Sequence, residues 1–212
     1  MRMRLGRYFT FLELAAFLVC LLLAVCYSAA AGHLTRHMLL HIGLMTVLAP
    51  LLAAWLRRCH RPFPGAAEPW FLPLATLLQL VAFFVWHSPQ LLAWIMSSPF
   101  LHTVMQAMLL LVATAFWASV LQRSDSAAWS AVVALLVTGK LFCLVALILV
   151  FAPRALYGSG MDLHHAEVDL ADQQLAGLLM ITACPMTYIL AAILLVARWL
   201  RLLGDEPRER RV

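Results

Sequence analysis

The chain has 212 residues, of which 64% are hydrophobic and 12% charged, with a mean hydropathy of +0.91. A soluble domain carries about 45–50% apolar and about 25% charged residues, so this composition excludes an ordinary water-soluble fold and indicates a polytopic membrane protein. The net charge of +5 comes from arginines in short segments between apolar runs, with Lys140 the only lysine, a pattern of membrane topology rather than of nucleic-acid binding.

A helix needs about 20 apolar residues to cross the hydrocarbon core. Six runs qualify: Phe9–Ala30, Leu34–Leu56, Trp70–Trp86, Phe100–Leu121, Ala128–Phe151 and Ala171–Leu200. Arg2, Arg4 and Arg7 precede the first, and Ser28-Ala29-Ala30-Ala31 after it looks like a signal-peptide cleavage site. The run is long for a signal sequence and contains Glu13, so an uncleaved span is expected. Arg57, Arg58 and Arg61 follow the second span, Arg123 the fourth, and Arg198, Arg201, Arg208, Arg210 and Arg211 close the chain. The opposite loops carry only Arg36 and Arg154. By the positive-inside rule both termini are cytoplasmic, and the outer loops are Ala31–His33, His87–Pro99 and Ala152–Leu170. The expected fold is an all-α membrane protein: a bundle of six transmembrane helices over residues 1–203, then a charged cytoplasmic tail, 204–212, whose composition suggests disorder.

Cys20, Cys26, Cys59, Cys143 and Cys184 form no C-x-x-C pair, so neither a disulfide framework nor a zinc finger is indicated. The histidines carry more information. On this topology His33, His37, His41, His87, His102, His164 and His165 fall on the outer side, and only His60 on the other. Unpaired imidazole is costly in hydrocarbon and is the commonest protein metal ligand. A one-sided cluster therefore points to a metal or cofactor site.

The second span opens with His37-x-x-x-His41, which puts two imidazoles one turn apart on one helical face. Met38 and Met45 follow on an adjoining stripe, and thioethers suit Cu(I). His87 ends the third span after Trp86, and His102 opens the fourth, with Met105 and Gln106 one turn further in. The third outer loop holds Met161-Asp162-Leu163-His164-His165-Ala166-Glu167-Val168-Asp169. Its carboxylates and imidazoles could ligate a metal or orient the ligands. Asp172-Gln173-Gln174 opens the sixth span; Asp172 suits a helix start, and Gly177 permits close helix approach. Lys140 lies near mid-depth in the fifth span, where an ammonium is usually paired or functional.

His37-Met38-x-x-His41 with Ala49-Pro50, Trp86-His87-x-Pro89, Ser98-Pro99-x-x-His102 and Asp172-Gln173-Gln174-x-x-Gly177-x-x-Met180 occur in this order. In this the chain resembles the CtaG-type cytochrome c oxidase assembly factors, bacterial inner-membrane proteins, from about His33 to Leu200. The family pattern has an acidic residue and a histidine where this chain has Met105 and Gln106. The resemblance implies a multi-pass protein of the bacterial inner membrane that is not an enzyme. It would bind copper, as Cu(I), at the periplasmic face and help deliver it to the oxidase. The candidate ligands are His37, His41, His87 and His102, with Met38 and Met105 as auxiliaries. His164, His165, Asp172 and Gln106 are candidates for further ligands or their supports. The implied partners are cytochrome c oxidase subunits, a periplasmic copper donor and the lipid bilayer, with no nucleic acid.

Other readings of the same residues stay open. Histidines from two helices could hold haem b in an electron carrier. Met180, Cys184 and Met186 with Pro185 could continue a copper path inward, as in a transporter. A di-iron site would want more histidines than share one side, and Gly158-Ser159-Gly160 is a weak protease signal without an assigned base.

Overall fold

The computed structural model describes residues 32–59, 61, 63–123, 127–157 and 163–209. The expected first span, Phe9–Ala30, and His60 lie outside the described residues. Within them the chain is helical and contains no strand. Helix α1 runs His33–Arg58, α2 Phe71–Trp86, α3 Pro89–Met96, α4 Pro99–Gln122, α5 Ala128–Phe151 and α6 Leu163–Glu209.

Among the described residues, four segments are long and apolar enough to cross a membrane: α1, α4, α5 and the stretch Asp169–Leu202 of α6. Helix α2 is equally apolar but has 16 residues. At a rise of about 1.5 Å per residue it spans about 24 Å, short of a hydrocarbon core of about 30 Å. Large apolar side chains stand exposed along these helices, among them Leu77, Val81, Val133, Leu144, Ile148, Leu178 and Ile193. In a soluble protein that would be a liability; around a membrane bundle it is the lipid-facing surface.

Two segments expected as outer loops differ from the sequence expectation. Part of His87–Pro99 is helix α3, begun by extended Ser88 and by Pro89 in the first turn, where a missing N–H costs nothing. The segment Ala152–Leu170 is shorter as a loop, because α6 starts at Leu163 rather than Ala171. Residues 163–168 precede the apolar stretch and are too polar to belong to it, yet they form the first turns of the helix. At its other end α6 continues to Glu209, into the residues whose composition suggested a disordered tail.

Helix α5 packs along α6, α4 lies against both α1 and α2, and the first half of α1 meets α6. Gly177 sets the α5–α6 distance. A Cβ there would lie 2.8 Å from Val150 Cγ2 and 3.0 Å from the Ala146 carbonyl oxygen, so only glycine lets the helices come this close.

Helix α1 changes register midway, with π-helix over Gly43–Leu48 between two α-helical halves. Pro50 has no N–H to give, and in π register its partner would be the carbonyl of Met45. That carbonyl accepts a 3.0 Å hydrogen bond from the Trp117 indole N–H of α4 instead. Trp117 stacks on Tyr188 of α6, whose hydroxyl accepts from the Gln79 amide of α2 at 3.0 Å. The buried polar groups at mid-bundle thus tie α1, α2, α4 and α6 together.

Candidate metal centre

One end of the bundle gathers the start of α1, the end of α2, the start of α4, the end of α5 and the upper part of α6. Asp172 of α6 fixes the start of α1. Its carboxylate accepts from the backbone N–H groups of Leu34 at 2.8 Å and Thr35 at 3.1 Å, and the Thr35 hydroxyl donates to the Asp172 carbonyl at 3.2 Å. Free N–H groups at a helix start attract an acceptor; here it comes from another helix. Gly32 leaves room for it, since a Cβ at that position would overlap the carboxylate.

The neighbouring Gln173 works in the other direction. It is buried, accepts from the Leu156 N–H at 2.6 Å and donates to the Leu149 carbonyl at 3.2 Å. Adjacent side chains of α6 therefore hold the start of α1 and the end of α5. Tyr157, in the loop between α5 and α6, adds a third tie by donating its hydroxyl to the His87 carbonyl at 2.8 Å. Burial pushes its phenol up to about 12, so it stays a donor at any physiological pH.

Beneath these ties four imidazoles from three helices come together. His37 and His41 stack one turn apart on α1, with ring centroids 6.1 Å apart. His87, just past the end of α2, lies 4.9 Å from His41 and 6.3 Å from His37. His102 of α4 lies 5.2 Å from His37. His37, His41 and His87 are 3%, 2% and 4% exposed, which makes them interior groups.

The hydrogen bonds fix several tautomers. His87 Nδ1 is 2.7 Å from the Phe83 carbonyl oxygen, which can only accept. Nδ1 therefore carries the proton and Nε2 the lone pair. His102 Nε2 faces His37 Nδ1 at 3.0 Å and the amide nitrogen of Gln106 at 3.5 Å. The amide nitrogen is a donor, so His102 Nε2 accepts, His37 Nδ1 donates, and His37 Nε2 is left bare. Gln106 also approaches His41 without completing a hydrogen bond to it.

Four buried imidazole nitrogens have no hydrogen-bond partner: His37 Nε2, both nitrogens of His41, and His87 Nε2. Roughly 90% or more of buried polar groups in proteins are satisfied, and in the neutral rings these four atoms amount to three lone pairs and one N–H without a partner. An imidazole nitrogen sits about 2 Å from a bound ion, which places the rings around one ion with centroids about 5–6 Å apart. The centroids of His37, His41 and His87 are 4.9, 6.1 and 6.3 Å apart, on either side of that range. Among the described residues, no group of three or more His, Cys, Asp and Glu side chains holds ligand geometry as it stands. Loading would require the imidazoles to turn toward a common point.

The remaining candidates fall as follows. Met38 on α1 and Met105 on α4 are both fully buried beside the histidines in sequence. Asp172 has both carboxylate oxygens engaged at the start of α1. His33 is exposed at the first residue of α1. His164 and His165 stand in the first turn of α6, and their side chains lie outside the described residues. Along the inward path from Met180, Met180 and Cys184 are buried, while Met186 is 70% exposed on the lipid side. Sequence reasoning missed Tyr157, whose bond to a backbone carbonyl leaves no motif.

No curated protein and no solved structure matches the chain. The family model described as cytochrome c oxidase caa3 assembly factor matches residues 1–202, nearly the whole length. With the motif residues gathered at one end of a membrane bundle, the chain belongs to the cytochrome c oxidase caa3 assembly factor family.

Proposed function

We propose that this assembly factor holds copper, as Cu(I), on His37, His41 and His87, with His102 orienting His37, and passes it to cytochrome c oxidase. The observation that carries this reading is the set of four unpartnered imidazole nitrogens in one buried cluster. His87 Nε2, His37 Nε2 and one nitrogen of His41 supply neutral lone pairs, the form in which imidazole binds metals. The Phe83 carbonyl orients His87, and the bond to His102 orients His37, as groups behind a metal ligand commonly do. Met38 and Met105 offer thioethers, which favour Cu(I).

Copper here is cargo, and the protein is not an enzyme. A soft ion held by few ligands leaves room for an incoming ligand from a partner. It then moves by exchange and is never free. The site faces the periplasm of the bacterial inner membrane, where a copper donor loads it and oxidase subunits unload it. The rings pack against one another and against Phe83, with His87 and Phe83 centroids 4.2 Å apart, an arrangement that suits an ion better than a flat macrocycle.

Elemental analysis and an absorption spectrum of one sample, purified in mild detergent, test the proposal. Copper bound without a haem spectrum, and lost in the His37→Ala/His41→Ala double variant, is expected. A Soret band would move the assignment to haem, and iron without haem to a di-iron centre. Unchanged oxidase copper in cells carrying the double variant would end the delivery role.

A further inference from the structure

Lys140 is exposed on α5, twelve residues from Ala128 and eleven from Phe151. At about 1.5 Å per residue it stands about 16–18 Å from either end of a membrane-crossing helix. A lysine side chain reaches only part of that distance, so it cannot bring its ammonium to water. Leu136, Val137 and Leu144 around it are exposed as well. An intramembrane charge ordinarily turns to the bundle interior and a partner; this one turns outward.

The surface around it is shaped. Lys140 stands one turn beyond two apolar grooves that flank α5. One, of about 430 Å³, runs between Val132 and Leu136 of α5 and Ile189 and Ile193 of α6. The other, of about 420 Å³, runs between Val133 and Val137 of α5 and Thr76 and Leu77 of α2. Ridges of a neighbouring helix fit such grooves. Both lie toward the Ala128 end of α5, away from the histidines.

From this juxtaposition we infer that the Lys140 face of α5 docks a transmembrane helix of a different protein carrying an aspartate or glutamate near mid-depth. The carboxylate neutralises the ammonium, and the apolar flanks of that helix fill the grooves. Charge complementarity selects this occupant. A second copy docked through the same face about a two-fold axis would set Lys140 against Lys140. The carboxylates of Glu68, Asp169 and Asp172 lie toward the two ends of the bundle, not at Lys140's depth. The surface is independent of any metal at the other end.

Photo-crosslinkers placed at Val137 and Leu144 of the full chain, in native membranes, test the inference. The expected product joins an apolar peptide of another protein that contains Asp or Glu. Its yield should fall about tenfold in Lys140→Met and persist in Lys140→Arg. Exchanging the charges, with Lys140→Asp here and the partner's acid changed to lysine, should restore it. Products with lipid alone, with a second copy, with this chain's own Glu13 segment or with a peptide lacking an acid would overturn it. So would a yield indifferent to Lys140→Met, in a variant whose thermal midpoint matches the parent.

Discussion

Asp172 on α6 completes the first turn of α1 by accepting the backbone N–H of Leu34, across 138 positions of sequence. The start of α1 carries His37 and His41, so this bond sets where two of the four clustered imidazoles stand. Replacing Asp172 by alanine strands the Leu34 and Thr35 donors. Capping losses of this kind cost about 1–2 kcal/mol. The variant should unfold earlier in a detergent-phase thermal melt, and Asp172→Asn, which keeps an acceptor, should fall between. An alanine variant as stable as the parent would show that the bond does not hold the helix.

His41 gives the sharpest separation of stability from function. Both its nitrogens are buried and unpartnered, so the metal-free protein bears their desolvation without return. Leucine at this place removes that cost at little change of bulk. The metal-free melting temperature of His41→Leu should hold steady or rise, while copper affinity falls by at least about tenfold. A structural histidine would behave the other way, with a lower melting temperature and unchanged metal content.

The Trp117 indole answers the carbonyl that Pro50 leaves open. Trp117→Phe keeps an aromatic ring against Tyr188 but orphans the Met45 oxygen. An unsatisfied buried acceptor costs about 1–3 kcal/mol. Adding Pro50→Ala restores a backbone donor and should recover part of the loss. Additive losses in the double variant would refute the coupling.

Much of this arrangement could be read from the chain. The run Ala128–Phe151 is apolar apart from Lys140 and a few small polar residues and ends just before Pro153, so its bounds follow from hydropathy. His37 and His41 declare a shared face by their spacing. The meeting of His87 and His102 with them followed from topology, which puts the end of one span beside the start of another. Other features leave no periodic trace. The first turns of α6 are polar and look like loop. The π segment of α1 depends on Pro50 together with Trp117, 67 positions away. Asp172 and Gln173 were legible as a motif, but their work is done on backbone atoms of other elements, which no local pattern encodes.

Tyr157 supplies a pH-dependent prediction. Its phenol donates to the His87 carbonyl and is pushed up to about 12 by burial, above its ordinary value of about 10. The folded state therefore holds this proton more tightly than the unfolded chain. The stability tied to it is fully present below about pH 10 and is lost as pH rises toward about 12. Melting temperatures measured in detergent from pH 8 to pH 11.5 should be level at first and then fall. Tyr157→Phe should lower the plateau, by the loss of one hydrogen bond of about 1 kcal/mol, and lessen the alkaline fall. Since Tyr157 grips the end of α2 at His87, the same variant should also release bound copper faster to a competing chelator at neutral pH. An unchanged release rate, alongside the lowered plateau, would confine Tyr157 to holding the fold and remove it from the support of the imidazole cluster.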